Sequence, residues 1–267
     1  MLPTSILTTT SRRREADDSL NSVAYRKIKD KIIALELPPA SLIDEADLAN
    51  ELSVGLTPVR QALRRLALEN LVVILPRRGT MVADLNFSDL QKIFEMRLEL
   101  EALAAQQAAA RATPEQLSEM GNLLDEAQTL FSGRDNQKLI ELDHALHALI
   151  ARCAHNEFLE QTLEWLYCHV LRLWYISLNQ MDVLSEAMDE HRQILAALKI
   201  GNGERAALIM RAHVQHFQAA FQRTFQPEQP VTARWSTTAL GLDEAQPADR
   251  TDGLHPLMRL RDPMRSL

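Results

Sequence analysis

The sequence is short of cysteine and of aromatic residues: 2 Cys and 5% Phe, Trp and Tyr in 267 residues. Cys153 and Cys168 both fall in helical patterns. They read as reduced core thiols rather than a disulfide, which suits a reducing cytoplasm. No apolar run approaches 18 residues, so no membrane span is expected. The first 14 residues are rich in Ser, Thr and Arg, weakly like a transit peptide, but they lack a secretory apolar core and read as a flexible extension. There is no His-Glu-x-x-His, no declared Ser/His/Asp arrangement and no repeat of 20–50 residues. A familiar hydrolase centre and a solenoid are therefore both disfavoured.

The chain also lacks an overall positive charge. Its net charge is −7, which at first argues against a nucleic-acid partner. The acidity is unevenly placed, however. Residues 1–85 hold 12 Lys/Arg against 11 Asp/Glu, and the remainder 17 against 25. A local basic face can bind DNA from an otherwise acidic body.

What is present is a dense set of signals between Leu42 and Val82. Asp44 is placed to cap a first helix that carries Leu48 and Leu52 one turn apart. Gly55 marks the turn and can supply φ > 0 if the chain needs it. Thr57 suits the next N-cap and Pro58 the first helical position. Val59, Ala62, Leu63 and Leu66 then form a buried stripe at i, i+3, i+4, i+7. Arg60, Gln61, Arg64 and Arg65 occupy the other side, and such side chains reach base edges and phosphates from a groove helix. Residues 71–75 are β-branched and strand-like, Pro76-Arg77-Arg78-Gly79 is a basic turn, and residues 80–83 return. The arginines alone also fit a solvated helix face. Taken in one register, the signals predict a winged helix-turn-helix preceded by a helix at about residues 22–35.

From about residue 87 to 225 the chain reads as six helices, at about 88–111, 113–132, 136–153, 157–177, 184–200 and 204–225. Ser88 with Gln91 and Thr113 with Gln116 are the expected capping boxes. Strand signals are absent there, so the fold class is mainly α: a winged helix-turn-helix with a small β-ribbon, then an all-α bundle. The expected divisions are 1–20 extension, 21–84 DNA-binding domain, 85–226 helical domain and 227–267 disordered tail. The tail is interrupted by Pro227, Pro230, Pro247, Pro256 and Pro263.

Four residues of the helical part draw attention. Asp143 and His147 are i, i+4 and share a helix face; His191 opens an amphipathic stretch; His213 lies 22 residues further on. Three imidazoles and a carboxylate suit a borderline divalent ion such as zinc, nickel or manganese. The same residues also read as a surface Asp–His pair and separate surface histidines. His144, His155, His169, His216 and His255 are further histidines from which spacing alone does not separate them.

Two stretches resemble a known family. Pro39, Leu42, Asp44 to Leu52, Thr57-Pro58-Val59-Arg60, Ala62-Leu63 and Arg78-Gly79 resemble the DNA-binding domain of the GntR family of bacterial transcription regulators. Arg97-Leu98, Glu101, Asp143, His147, Asn156, Glu190-His191-Arg192 and His213 resemble the FCD ligand-binding domain of its FadR subfamily. One departure concerns operator choice: the family usually has Ser-Arg before its Thr-Pro, where this chain has Gly55-Leu56. The resemblance implies DNA contact at Thr57, Arg60 and Gly79, with Gln61, Arg64, Arg65, Arg77 and Arg78 beside them. It implies a divalent metal on Asp143, His147, His191 and His213, and a small carboxylic acid bound there. Arg97 resembles a position that meets the effector carboxylate, and its alternative is a salt bridge to Glu101 at i+4. Arg172 is a second, weaker pocket candidate.

The implied function is a cytoplasmic, homodimeric, metabolite-responsive regulator, a repressor, that binds a double-stranded operator and releases it when an organic acid enters the bundle. Two rivals follow from the same residues: a DNA-binding dimer with no effector, and an all-α metalloenzyme using the Asp/His set.

Overall fold

The computed structural model describes residues 19–130, 136–177 and 184–224. The expected extension up to residue 18 and the expected tail lie outside the described residues. The first helix, α1 (Leu20–Ile33), begins two residues before the expected start. Ser19 caps it, its hydroxyl accepting from Ser22 N. Ala24, Ile28 and Ile32 form its buried stripe.

A two-residue strand β1 (Leu42–Ile43) precedes α2 (Glu45–Leu52). Asp44 caps α2 as expected, accepting from the backbone N–H groups of Ala46 and Asp47. The turn differs from expectation. Ser53, not Gly55, takes the left-handed conformation (φ 55°), and Gly55 has φ −77°. The next helix, α3 (Leu56–Leu68), therefore starts earlier than expected, with Gly55 as N-cap and no side-chain cap. Thr57 is not the cap and Pro58 is the third helical residue, not the first. Every position of the first turn lacks an intrahelical acceptor for its N–H, so proline is tolerated at any of them.

The buried stripe of α3 is the predicted one: Val59, Ala62, Leu63 and Leu66. They join Ala24, Ile28, Ile32, Leu48, Leu52, Leu71 and Val82 in a compact core. Strands β2 (Val72–Leu75) and β3 (Gly79–Val82) pair antiparallel, with Val73 opposite Met81, and β1 adds to the other side of β3. At the wing tip Gly79 has φ 96°, a region nearly closed to other residues.

Six further helices among the described residues build a second core: α4 (Phe87–Arg111), α5 (Pro114–Leu130), α6 (Asn136–Cys153), α7 (Glu157–Ser177), α8 (Leu184–Lys199) and α9 (Gly203–Thr224). Asn86, not Ser88, caps α4, accepting from Ser88 N. The Thr113/Gln116 capping box forms reciprocally, with Gln116 N donating to Thr113 Oγ1 and Thr113 N to Gln116 Oε1. The most extensive packing between helices among the described residues joins α4 to α9. Gly203 permits it, since a Cβ there would lie 2.8 Å from the Gln106 carbonyl oxygen. Both cysteines are buried and free. Among the described residues no helix is long and apolar enough to cross a membrane.

Candidate functional site

The polar side of α3 presents Thr57, Arg60, Gln61, Arg64 and Arg65 to solvent, and Leu56 at its start is exposed as well. Arg60 Nε donates to Glu45 Oε2 at 2.7 Å, tying α3 to the first turn of α2. Arg65 is turned differently. Its guanidinium lies 3.7 Å from the Tyr25 ring centroid and 3.5 Å from Glu69. It braces α3 against α1, which leaves Arg60, Gln61 and Arg64 as the outward set. Arg77, Arg78 and Gly79 form the exposed wing tip.

The second site lies inside the bundle. Helix α6 supplies Asp143 and His147, α8 supplies His191 and α9 supplies His213; all four are buried, and one donor atom from each lies within 4.8 Å of the others. His147 Nε2 is 3.1 Å from His213 Nε2 and 3.2 Å from His191 Nε2. Ligands around a divalent ion at about 2.0–2.1 Å sit roughly 3 Å apart, so these separations fit a shared cation. One proton can bridge only two facing ring nitrogens, and here three converge.

Carboxylates stand behind the imidazoles. Glu101 Oε2 is 2.5 Å from His147 Nδ1, an ion-pair contact rather than an aligned hydrogen bond. Glu190 reaches His213 Nδ1 at 2.8 Å with one oxygen and His216 Nδ1 at 2.5 Å with the other. Glu190 holds the Nδ1 proton of His213 and leaves its Nε2 lone pair facing inward, as outer-sphere carboxylates do in metal sites, while Glu101 sets its charge against His147 Nδ1. Tyr167 donates to Asp143 Oδ2, while Asp143 Oδ1 and His191 Nδ1 are buried with no hydrogen-bond partner. An orphaned carboxylate oxygen beside three converging Nε2 atoms fits a cation better than an empty interior. Burial disfavours charge on both Glu101 and His191, with opposite outcomes. In Glu101 the charges of Arg97 and His147 overcome it and hold the carboxyl far below its usual range. In His191 the neighbouring His213 and His147 add to it, and the imidazole stays neutral.

A pocket partly open to solvent adjoins this cluster, and Asp143, His147 and His213 line it. Arg97 and Tyr167 line it, with Trp174 and Phe217 as an aromatic wall and Glu186, Glu190 and His216 towards the opening. Arg97 is thus placed both ways that the sequence allowed. It faces the cavity, and its Nε donates to Glu101 Oε1 at 2.5 Å. Arg172 is a correction: it does not line the cavity. It is buried on another side of α7, donating to the Ala83 carbonyl just after β3.

Arg172 belongs to a joint that sequence reasoning missed. On α7, Trp165 Nε1 donates to the Glu69 carbonyl at 2.9 Å and His169 Nε2 meets the same oxygen at 3.0 Å. The Glu69 carboxylate accepts from the Tyr25 hydroxyl at 2.7 Å and pairs with Lys29 at 3.4 Å. Glu69 is the C-cap of α3, so α7 grips the end of that helix. The available signal was the spacing Trp165, Cys168, His169, Arg172 at i, i+3, i+4, i+7, a polar-edged stripe on an otherwise apolar helix.

Residues 20–82 match the family described as bacterial regulatory proteins, gntR family, and residues 92–216 match the FCD domain. The chain is 27% identical over 198 residues to the uncharacterized HTH-type transcriptional regulator YdhC of Bacillus subtilis, covering 72% of this chain and 86% of that protein. It is also 27% identical to the HTH-type transcriptional repressor GlaR of Escherichia coli, over 71% of this chain and 90% of that one. Among solved structures, Escherichia coli McbR/YncC superposes with a TM-score of 0.69 at 25% identity, covering 78% of this chain and 99% of McbR.

Proposed function

The chain belongs to the gntR family of bacterial regulatory proteins, with an FCD domain behind its DNA-binding domain, and we propose that it is a metal-containing repressor released from its operator by a small organic acid. It is a transcription regulator and not an enzyme. The observation that carries the finer reading is the convergence of Asp143, His147, His191 and His213 beside a solvent-reaching cavity. A divalent ion of the zinc, nickel or manganese class held there would offer open coordination positions to a carboxylate.

The chain's own residues do the rest. Glu101 and Glu190 orient His147 and His213. Arg97, anchored by Glu101, adds a fixed positive charge at the edge of the cavity. In this reading residues 21–84 read the operator and residues 85–226 dimerise in the cytoplasm. Dimerisation would set two α3 helices on half-sites about one helical turn apart. Arg60, Gln61 and Arg64 face bases and phosphates from α3, with Thr57 at its start and Arg77, Arg78 and Gly79 at the wing. Helix α7 links the two sites, since Tyr167 holds Asp143 while Trp165 and His169 hold Glu69. Moving the population from almost wholly bound to almost wholly free takes a differential affinity on the order of 5 kcal/mol.

The test is a thermal-shift panel of small carboxylic acids on metal-loaded protein, with His147→Ala alongside, followed by operator titration with the acid that responds. An acid that stabilises the wild type but not the variant, and lowers operator affinity, is the expected result. Protein that takes up no divalent metal refutes the reading of the bundle and leaves only the DNA reader.

A further inference from the structure

Resting on that reading of the centre, we infer that the effector is a monocarboxylate carrying a flat apolar group, an aryl acid in the first instance, rather than a di- or tricarboxylate or a sugar acid. The cavity's charge and its wall both point this way.

The positive side of the cavity has room for one carboxylate. Among the described lining residues Arg97 is the sole arginine or lysine, and Glu101 already holds its Nε. Its guanidinium carbon is 4.7 Å from the Tyr167 ring centroid, and the Glu101 contact together with that ring holds it on this side of the cavity. Towards the opening stand Glu186 and Glu190. A second carboxylate reaching in that direction would meet like charge, a repulsion that discriminates strongly between ligands.

The remaining wall is aromatic and preorganised. Trp174 and Phe217 stack with centroids 4.5 Å apart at 28°, and Phe94 backs Phe217 at 5.5 Å. Position along the helices sets the spacing. Phe217 is one turn beyond His213 on α9, and Trp174 is two turns, roughly 10 Å, beyond Tyr167 on α7. A ligand whose carboxylate sits at the four-residue centre therefore extends its body against the Trp174–Phe217 face. Hydroxyl groups of a sugar acid would be desolvated there without partners, whereas a planar apolar ring gains burial and ring-edge contact.

The experiment is calorimetric titration of the metal-loaded full chain with benzoate, acetate and malonate, with metal content measured on every sample. Benzoate is expected to bind at least about tenfold tighter than acetate or malonate. Phe217→Ala is expected to cut the benzoate-to-acetate ratio below about threefold while acetate binding is retained. Should that variant lose its metal, Phe217→Leu, which keeps a large apolar side chain but not the ring face, carries the same comparison. Malonate binding as tightly as benzoate overturns this inference and leaves the metal–carboxylate reading standing. So does a benzoate preference unchanged in both Phe217 variants. No binding by any of the three to stoichiometrically loaded protein overturns both.

Discussion

The joint between the reader and the bundle contains a buried histidine whose titration can be isolated. His169 is 7% exposed, and its Nε2–H donates to the Glu69 carbonyl. Burial, with the Arg172 charge second, pushes its pKa down to about 4 from an unfolded value of 6.5. Between those values the unfolded chain binds a proton that the folded chain refuses, so stability is lost as pH falls through that window. At 1.36 kcal/mol per unit the loss is about 3 kcal/mol by pH 4. Asp30, on α1, works in the opposite direction. Burial pushes its carboxyl up to about 6, against Lys29 and Arg26, so the folded state gains a proton and relative stability as pH falls below 6. The wild-type curve alone would therefore hide both. His169→Gln keeps an amide donor for Glu69 and removes the titration. Urea unfolding of both proteins across about pH 7 to pH 4, with chelator throughout, gives the difference free of Asp30. The wild type should weaken relative to the variant by about 3 kcal/mol over that range. A difference constant to within about 0.5 kcal/mol would show that His169 is not held neutral by the joint, and would refute the burial argument.

Three further outcomes follow from the geometry. Arg60→Ala should weaken operator binding by about 1–3 kcal/mol in fluorescence anisotropy; unchanged affinity would remove α3 from the groove. Glu190→Gln should lower divalent-metal affinity by roughly 10–100-fold in a competitive chelator titration, because His213 loses the carboxylate on its Nδ1. Equal affinity would make Glu190 a bystander. Gly203→Ala should destabilise the bundle by about 1–3 kcal/mol in urea, since the added carbon meets the Gln106 carbonyl and α9 must move off α4.

Much of the architecture was legible because its signals are local. Helix α6 begins and ends where its periodicity does, and Thr113 and Gln116 cap α5 by a rule that needs four residues only. Local signals failed where several positions satisfy one rule. Proline fits anywhere in a first turn, so Pro58 could not say where α3 starts, and both Asn86 and Ser88 are good caps for α4. The candidate site shows a different limit. A spacing of i, i+4 puts Asp143 and His147 on one face but cannot say whether that face points inward. The answer depends on α8 and α9 bringing His191 and His213 to the same point, 44 and 66 residues away from His147. Strand β1 is two residues long and exists only because β3 offers it an edge. Arg172 was misassigned for a related reason: a buried arginine on α7 can face the cavity or the reader, and only packing chooses.

That choice bears on how a response would travel. Helix α7 turns one face to Asp143 through the Tyr167 hydroxyl and another to the reader through Trp165, His169 and Arg172. The groups it grips are the C-cap carbonyl of α3 and the carbonyl of Ala83 just after β3. These are the end of α3 and the exit of the wing, so both hang from one helix. The core of the reader is continuous through α1, α2 and α3, with Ile28, Leu63 and Leu66 essentially fully buried. Close-packed cores resist internal deformation. A displacement of α7 would therefore carry the reader as a body rather than reshape it. Under the proposed function, an acid bound at the centre would need only to reposition Asp143, and with it Tyr167, to change how two readers in a dimer are spaced. A Tyr167→Phe variant separates the parts of this argument. It removes the hydroxyl held by Asp143 while leaving every α7 contact to Glu69 and Ala83. If α7 is the link, acid binding should persist in that variant and operator release should weaken; full release would place the coupling elsewhere.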